Sequence, residues 1–122
     1  MRTMRDLLAR LQADHPLTVR DEAGWSEIVI EKDGGLTFTI TLPRNVFEWY
    51  ADARDTSGRQ VWADWADYYP DNNEKPKELR AAMAADIEAF VAQLVASKVR
   101  IAEGSLEWKE AGKWQSIGLC AA

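Results

Sequence analysis

Between Trp25 and Leu42 apolar and polar residues alternate with period two. Ile28, Ile30, Phe38, Ile40 and Leu42 fall on one side, and Glu27, Glu31, Thr37, Thr39 and Thr41 on the other. That period predicts two half-buried strands meeting at Asp33-Gly34-Gly35. The pattern also sets the loop length. A three-residue loop pairs Lys32 with Leu36, Ile30 with Phe38 and Ile28 with Ile40, whereas a two-residue loop would put Ile30 opposite Thr37. Gly35 then takes the left-handed bulge position. The device recurs at Thr56-Ser57-Gly58, where Asp55 is expected to face Arg59, Ala53 Val61, Ala51 Ala63 and Trp49 Trp65. That register puts Trp49 and Trp65 on the core side. The opposite side carries Glu48, Tyr50, Asp52 and Arg54 on one strand, with Gln60, Trp62, Asp64 and Tyr68 on the other, and is wet unless something covers it.

Two stretches switch to helical spacing. Met4, Leu7, Leu8 and Leu11, preceded by a capping-box-like Thr3 and Asp6, predict a helix from about Met4 to Ala13. His15 before Pro16 ends it, because a residue preceding proline is pushed out of the helical region. After a loop spanning Pro70 and Asp71 to Lys75, Pro76 is suited to a first helical turn. Leu79, Met83, Ile87, Phe90, Val91, Leu94 and Val95 then form one stripe of a core helix of about six turns, roughly 30 Å long. Short strands follow at about Val99 to Ala102, Ser105 to Lys109 and Lys113 to Ile117. The last two join near Glu110-Ala111-Gly112, pairing either Trp108 with Trp114 or Leu106 with Ile117. The expected fold is α+β: an antiparallel sheet of a four-strand meander plus a C-terminal hairpin, with an N-terminal helix and one long helix packed on one face. At 122 residues, residues 1–122 are expected to form a single domain with a core of its own.

Charge changes the picture more than composition does. The net charge is -5, and the segments 1–44 and 75–122 together cancel. The imbalance sits in residues 45–74, where Arg54 and Arg59 stand against Glu48, Asp52, Asp55, Asp64, Asp67, Asp71 and Glu74. The same segment holds seven of the twelve aromatics: Phe47, Trp49, Tyr50, Trp62, Trp65, Tyr68 and Tyr69. An acidic segment disfavours direct nucleic-acid binding, whose affinity comes from Lys and Arg displacing counterions. It favours the approach of a basic protein. Trp25, Trp49, Trp65, Trp108 and Trp114 are expected to fill the space between sheet and helices. Trp62 and Tyr50, forced onto the acidic face, have the composition of a protein-binding hot spot.

Catalytic chemistry finds little purchase. His15 is the single histidine, and beside a proline at a helix end it suits a capping or surface position better than a metal or triad role. Cys120, the single cysteine, rules out a disulfide framework within the chain and is expected to be a poor nucleophile, since activation needs a cationic or buried setting. Asp64, Asp67 and Asp71 lack the glycine turn and closing glutamate of a calcium loop. Gly34 and Gly35 are not followed by a helix, so no phosphate cradle is expected. No catalytic residue, metal or cofactor is expected, and the chain is read as a non-enzyme. No apolar run approaches about 18 residues, and the N-terminus lacks the h-region of a secretory signal, so a cytoplasmic protein with no membrane role is expected.

At Glu48-Trp49-Tyr50, Trp62-Ala63-Asp64-Trp65-Ala66-Asp67-Tyr68-Tyr69 and the following helix, the chain resembles small acidic bacterial immunity proteins that accompany polymorphic toxins. The likeness covers the layout of about residues 25–100. It implies a cytosolic inhibitor that binds one toxin domain and blocks its active site; if the toxin acts on nucleic acid, acidic residues would stand where phosphates go. The expected partner-binding residues are Glu48, Tyr50, Asp52, Trp62, Asp64 and Tyr68, and the expected partner is a toxin domain with a basic surface. The alternatives are a small-molecule-binding or structural domain with an aromatic pocket between sheet and helix and, as a third reading, an enzyme using acidic residues.

Overall fold

The computed structural model describes residues 4–44, 46–68 and 75–119. Along these the chain runs α1 (Met4–Asp14), β1 (Thr18–Asp21), β2 (Trp25–Lys32), β3 (Leu36–Pro43), β4 (Glu48–Arg54), β5 (Gln60–Asp67), α2 (Pro76–Ala96), β6 (Val99–Ala102), β7 (Ser105–Glu110) and β8 (Lys113–Ser116). Strands β1 to β5 form one antiparallel meander, and β6 to β8 form a second, three-stranded sheet. The class is α+β as expected, but the meander has five strands, not four. The added β1 has Val19 as its one aliphatic residue, too short a pattern to register as period two, and it takes its place by pairing Val19 with Ile28. Thr3, Tyr69, the loop from Pro70 to Glu74 and Cys120 lie outside the described residues.

The first hairpin follows the alternation. Lys32 pairs with Leu36, Ile30 with Phe38 and Ile28 with Ile40, and Gly35 has φ +77°. At the second, Asp55 N–H donates to the Arg59 carbonyl at 3.0 Å, and the Asp55 carboxylate accepts from Ser57 N–H, the Ser57 hydroxyl and Arg59 N–H. One step further the register shifts. Arg54 pairs with Gln60, but Ala53 pairs with Trp62, so Val61 is an extra residue in a bulge. From there Ala51 faces Asp64, Tyr50 faces Trp65 and Trp49 faces Ala66. The packing reason is volume. Without the bulge, Ala53 and Ala51 would meet Val61 and Ala63, small against small, leaving the space under Phe90 unfilled; the shift brings in the Trp62 ring.

The core lies on one side of the five-stranded sheet. Ile28, Ile30, Phe38, Ile40, Trp49, Ala51 and Ala53 supply its floor, Leu7, Leu8 and Leu11 of α1 and Met83, Ile87, Phe90, Val91 and Leu94 of α2 its cover. Phe90 is the hub, with ring centroids 5.6 Å from Trp49, 6.3 Å from Trp62 and 5.5 Å from Trp108. Trp108 brings the small sheet onto this cluster. In that sheet Glu107 pairs with Ser116, and Ile117 N–H donates to the Leu106 carbonyl, which selects the Leu106–Ile117 register. Lys32 closes the far end of α2, its Nζ donating to the Val95 carbonyl at 3.1 Å; desolvation there lowers its pKa from the ordinary lysine value.

Candidate interaction face

The side of the five-stranded sheet away from the helices carries no covering element among the described residues. Strand alternation assembles it in rows. Two of them cross all five strands, one running Arg20, Glu27, Thr41, Tyr50, Trp65 and the other Thr18, Val29, Thr39, Asp52, Ala63. Thr39 and Thr41 floor a depression of about 490 Å³ walled by Tyr50, Asp52, Ala63 and Trp65. Trp65 is 58% exposed and Tyr50 38%, two of the exposed large apolar residues of the chain.

Carboxylates surround this aromatic pair. Glu48 stands directly opposite Asp67 on the next strand, a like-charge placement that costs stability where it occurs. The Tyr50 hydroxyl donates to Glu48. That hydrogen bond, with partial desolvation and the charges of Glu48 and Asp67, holds the Tyr50 pKa above the ordinary tyrosine value. Asp52 is paired with Arg54 at 3.2 Å, the one cation of β4 on this face. The surface therefore offers flat aromatic area within a negative field, suited to a cationic protein surface and unsuited to phosphate.

Of the six residues expected here, Glu48, Tyr50 and Asp52 are on the face and Trp62, Asp64 and Tyr68 are not. The Val61 bulge turns Trp62 inward, onto Phe38 and Phe90, with Nε1 donating to the Ile117 carbonyl at 3.2 Å. The same shift carries Asp64 to the core side, where its carboxylate accepts the Leu119 N–H at 3.1 Å and the Trp65 N–H at 2.9 Å. Together Trp62 and Asp64 clasp the segment Ile117 to Leu119 along the edge of β5. Tyr68 turns towards α2, its hydroxyl accepting from Trp49 Nε1 at 3.1 Å and donating to Asp86 at 2.7 Å.

Their places on the outer face are taken by Trp65 and Asp67, which the unbulged register hid. A signal was present: alanines at 51 and 53 on the core side of β4 call for a large ring opposite. Other tryptophans move too. Trp25 is half-buried and alternates onto the outer face, and Trp114, on β8, sits on the side of the small sheet away from Trp108, beneath the Arg100 guanidinium 4.1 Å from its ring centroid. Between sheet and helix, where the alternative reading puts an aromatic pocket, Phe38, Trp49, Trp62, Phe90 and Trp108 form a cluster of ring contacts. Among the described residues, no group of three or more His, Cys, Asp or Glu side chains is placed to hold a metal ion, and no helix is long and apolar enough to cross a membrane. In comparisons with known proteins, the chain matches no family model, no curated protein and no solved structure.

Proposed function

We propose that this protein is a non-enzymatic, cytoplasmic binding module of the immunity type, which blocks a basic toxin domain by docking it on the outer face of β4 and β5. The observation that carries the reading is the exposed pair Tyr50 and Trp65 side by side on an uncovered sheet, ringed by Glu48, Asp52 and Asp67. Exposed Trp and Tyr supply large, rigid contact area, and the acids steer and orient a cationic partner. The immunity class is taken from the resemblance of the Glu48 to Tyr69 motif and the helix after it.

The test uses two baits in the native host, the wild-type chain and a Trp65→Ala/Asp67→Lys variant. The expected result is a basic protein retained by the first and lost by the second, whose expression alone arrests growth and whose toxicity the wild-type chain relieves. A partner held equally by both baits, or one whose activity is unaffected on binding, overturns the reading.

A further inference from the structure

The strands that end the two sheets are not alike. Along β5, Trp62 and Asp64 clasp the segment Ile117 to Leu119. β1 and β8 each carry a single apolar residue, Val19 and Trp114. β6 reverses that composition. Its Val99, Ile101 and Ala102 are apolar, and it contains neither proline nor bulge, two of the devices that blunt an open edge. Ile101 is 48% exposed, a large apolar side chain left in water as Tyr50 and Trp65 are.

Pairing with β7 fixes which backbone groups β6 leaves open. Lys109 N–H donates to the Lys98 carbonyl at 2.9 Å, and the register continues as Val99 with Trp108, Arg100 with Glu107 and Ile101 with Leu106. Hydrogen-bonded and non-hydrogen-bonded pairs alternate in an antiparallel ladder, so Arg100 and Ala102 turn their N–H and C=O towards β7, and Val99 and Ile101 turn theirs outward. No described strand lies beyond β6. Arg100 on one side of the sheet and Ile101 on the other are both exposed, which leaves the edge reachable from either side.

An open backbone edge is completed by another strand, and the ends of this one are complementary to a copy of itself. An exposed cation, Lys98, precedes it and an exposed anion, Glu103, follows it, so two copies laid antiparallel bring Lys98 of each beside Glu103 of the other. We propose that the chain forms a two-fold dimer in which β6 pairs with β6 of a second copy, centred on Arg100. In that register Val99 and Ile101 of one copy exchange backbone hydrogen bonds with Ile101 and Val99 of the other, and their aliphatic side chains meet on the Trp108 side. The turn at Glu103 and Gly104, with φ +53° and +78°, stays outside the ladder, whereas a pairing centred on Ile101 would draw Glu103 into it. The two Arg100 side chains oppose each other at the centre, but each is drawn back over its own sheet, 2.9 Å from the Glu107 carboxylate and 4.1 Å from the Trp114 ring centroid. The contact is isologous and closes on itself. It is independent of the outer-face reading and uses none of its residues.

The test is sedimentation equilibrium of the full chain over a concentration series. A reversible monomer–dimer equilibrium is expected, and a weak one, because a pairing of 4 residues from each copy lies well below the roughly 1,200 Å² of a standard interface. Ile101→Lys adds a charge at the edge, and Ile101→Pro removes an N–H that β7 does not use. Each should raise the dimer Kd about tenfold or more with little change in melting. In a Cys120→Ser background, Arg100→Cys should cross-link two chains in glutathione buffer, since directly opposed, non-hydrogen-bonded residues have the Cα spacing of a disulfide. Lys98→Cys, equally exposed but opposite Ala102 of the second copy, should not. A chain monomeric up to about 1 mM, a dimer untouched by both Ile101 variants, or cross-linking as ready through Lys98→Cys as through Arg100→Cys would overturn the proposal. So would a dimer lost on Trp65→Ala, which would put the contact on the outer face of the large sheet.

Discussion

Trp62 stacks on Phe90, ring centroids 6.3 Å apart and planes 10° from parallel, while its indole N–H donates to the Ile117 carbonyl. One side chain on β5 thereby joins the large sheet, α2 and the segment that follows the small sheet. Trp62→Ala should remove that packing and cost about 3 kcal/mol or more in urea unfolding. Trp62→Phe keeps a ring and loses the N–H, and should cost less, about 1–2 kcal/mol. If both variants unfold like the wild type, Trp62 is not a core residue.

How far the sequence reaches is visible around this residue. The first hairpin was legible because its alternation is unbroken and a wrong loop length would put Phe38, Ile40 and Leu42 on the opposite face from Ile28 and Ile30. The helices were legible because their stripes are long. Over β5 the alternation fails, since Val61, Trp62, Ala63, Trp65 and Ala66 are all compatible with either face, and one bulged residue decides which tryptophan is in. That choice is made by Ala51, Ala53 and Phe90, which are distant in sequence and set the volume to be filled. Hence the acidic aromatic face was legible as a surface, and half of its residues were not.

The two hairpin loops touch, and the contact is testable. Gly35 has φ +77°, and a Cβ there would come 2.2 Å from Thr56 Cγ2; Gly58 has φ +84° and open space around it. Gly58→Ala should therefore cost only the left-handed backbone term, about 1–2 kcal/mol. Gly35→Ala should cost more, and adding Thr56→Ser, which removes the Cγ2 methyl, should restore part of the difference. Denaturant unfolding of the four chains gives the coupling directly. Additive losses would mean that the loops are apart in solution.

Tyr50 reports the field of the outer face. Its pKa is raised above 10.0, first by the hydrogen bond to Glu48, then by desolvation and the nearby charges of Glu48 and Asp67. The sign follows: since the unfolded chain ionises first, the stability linked to this group is fully present below about pH 10 and is lost as pH rises through the folded value. Phenolate absorbance, with Tyr50→Phe to assign it, should show one tyrosine titrating late. Glu48→Gln should bring that transition back towards the ordinary value, and added salt should do so partly. A Tyr50 transition unmoved by Glu48→Gln would remove Glu48 as its cause.

Trp65 and Asp67 separate the two contributions expected of a docking face. Trp65 is 58% exposed, so Trp65→Ala should leave melting and urea midpoints within about 0.5 kcal/mol of wild type. Against a basic partner the same change should speed dissociation and weaken binding by about 2 kcal/mol or more, roughly thirtyfold in Kd, because a desolvated aromatic anchor acts after encounter. Asp67→Lys should act before it, slowing association and flattening its dependence on salt, since long-range attraction is what salt screens. It should also leave stability unchanged or raise it by up to about 1 kcal/mol, because it replaces a like-charge cross-strand pair with Glu48 by an attractive one. Stability gained while binding is lost would identify the Glu48–Asp67 opposition as a feature of the interface and not of the fold. Binding kinetics at two ionic strengths, with melts alongside, decide it; identical rate constants for both variants and wild type would move the partner off this face.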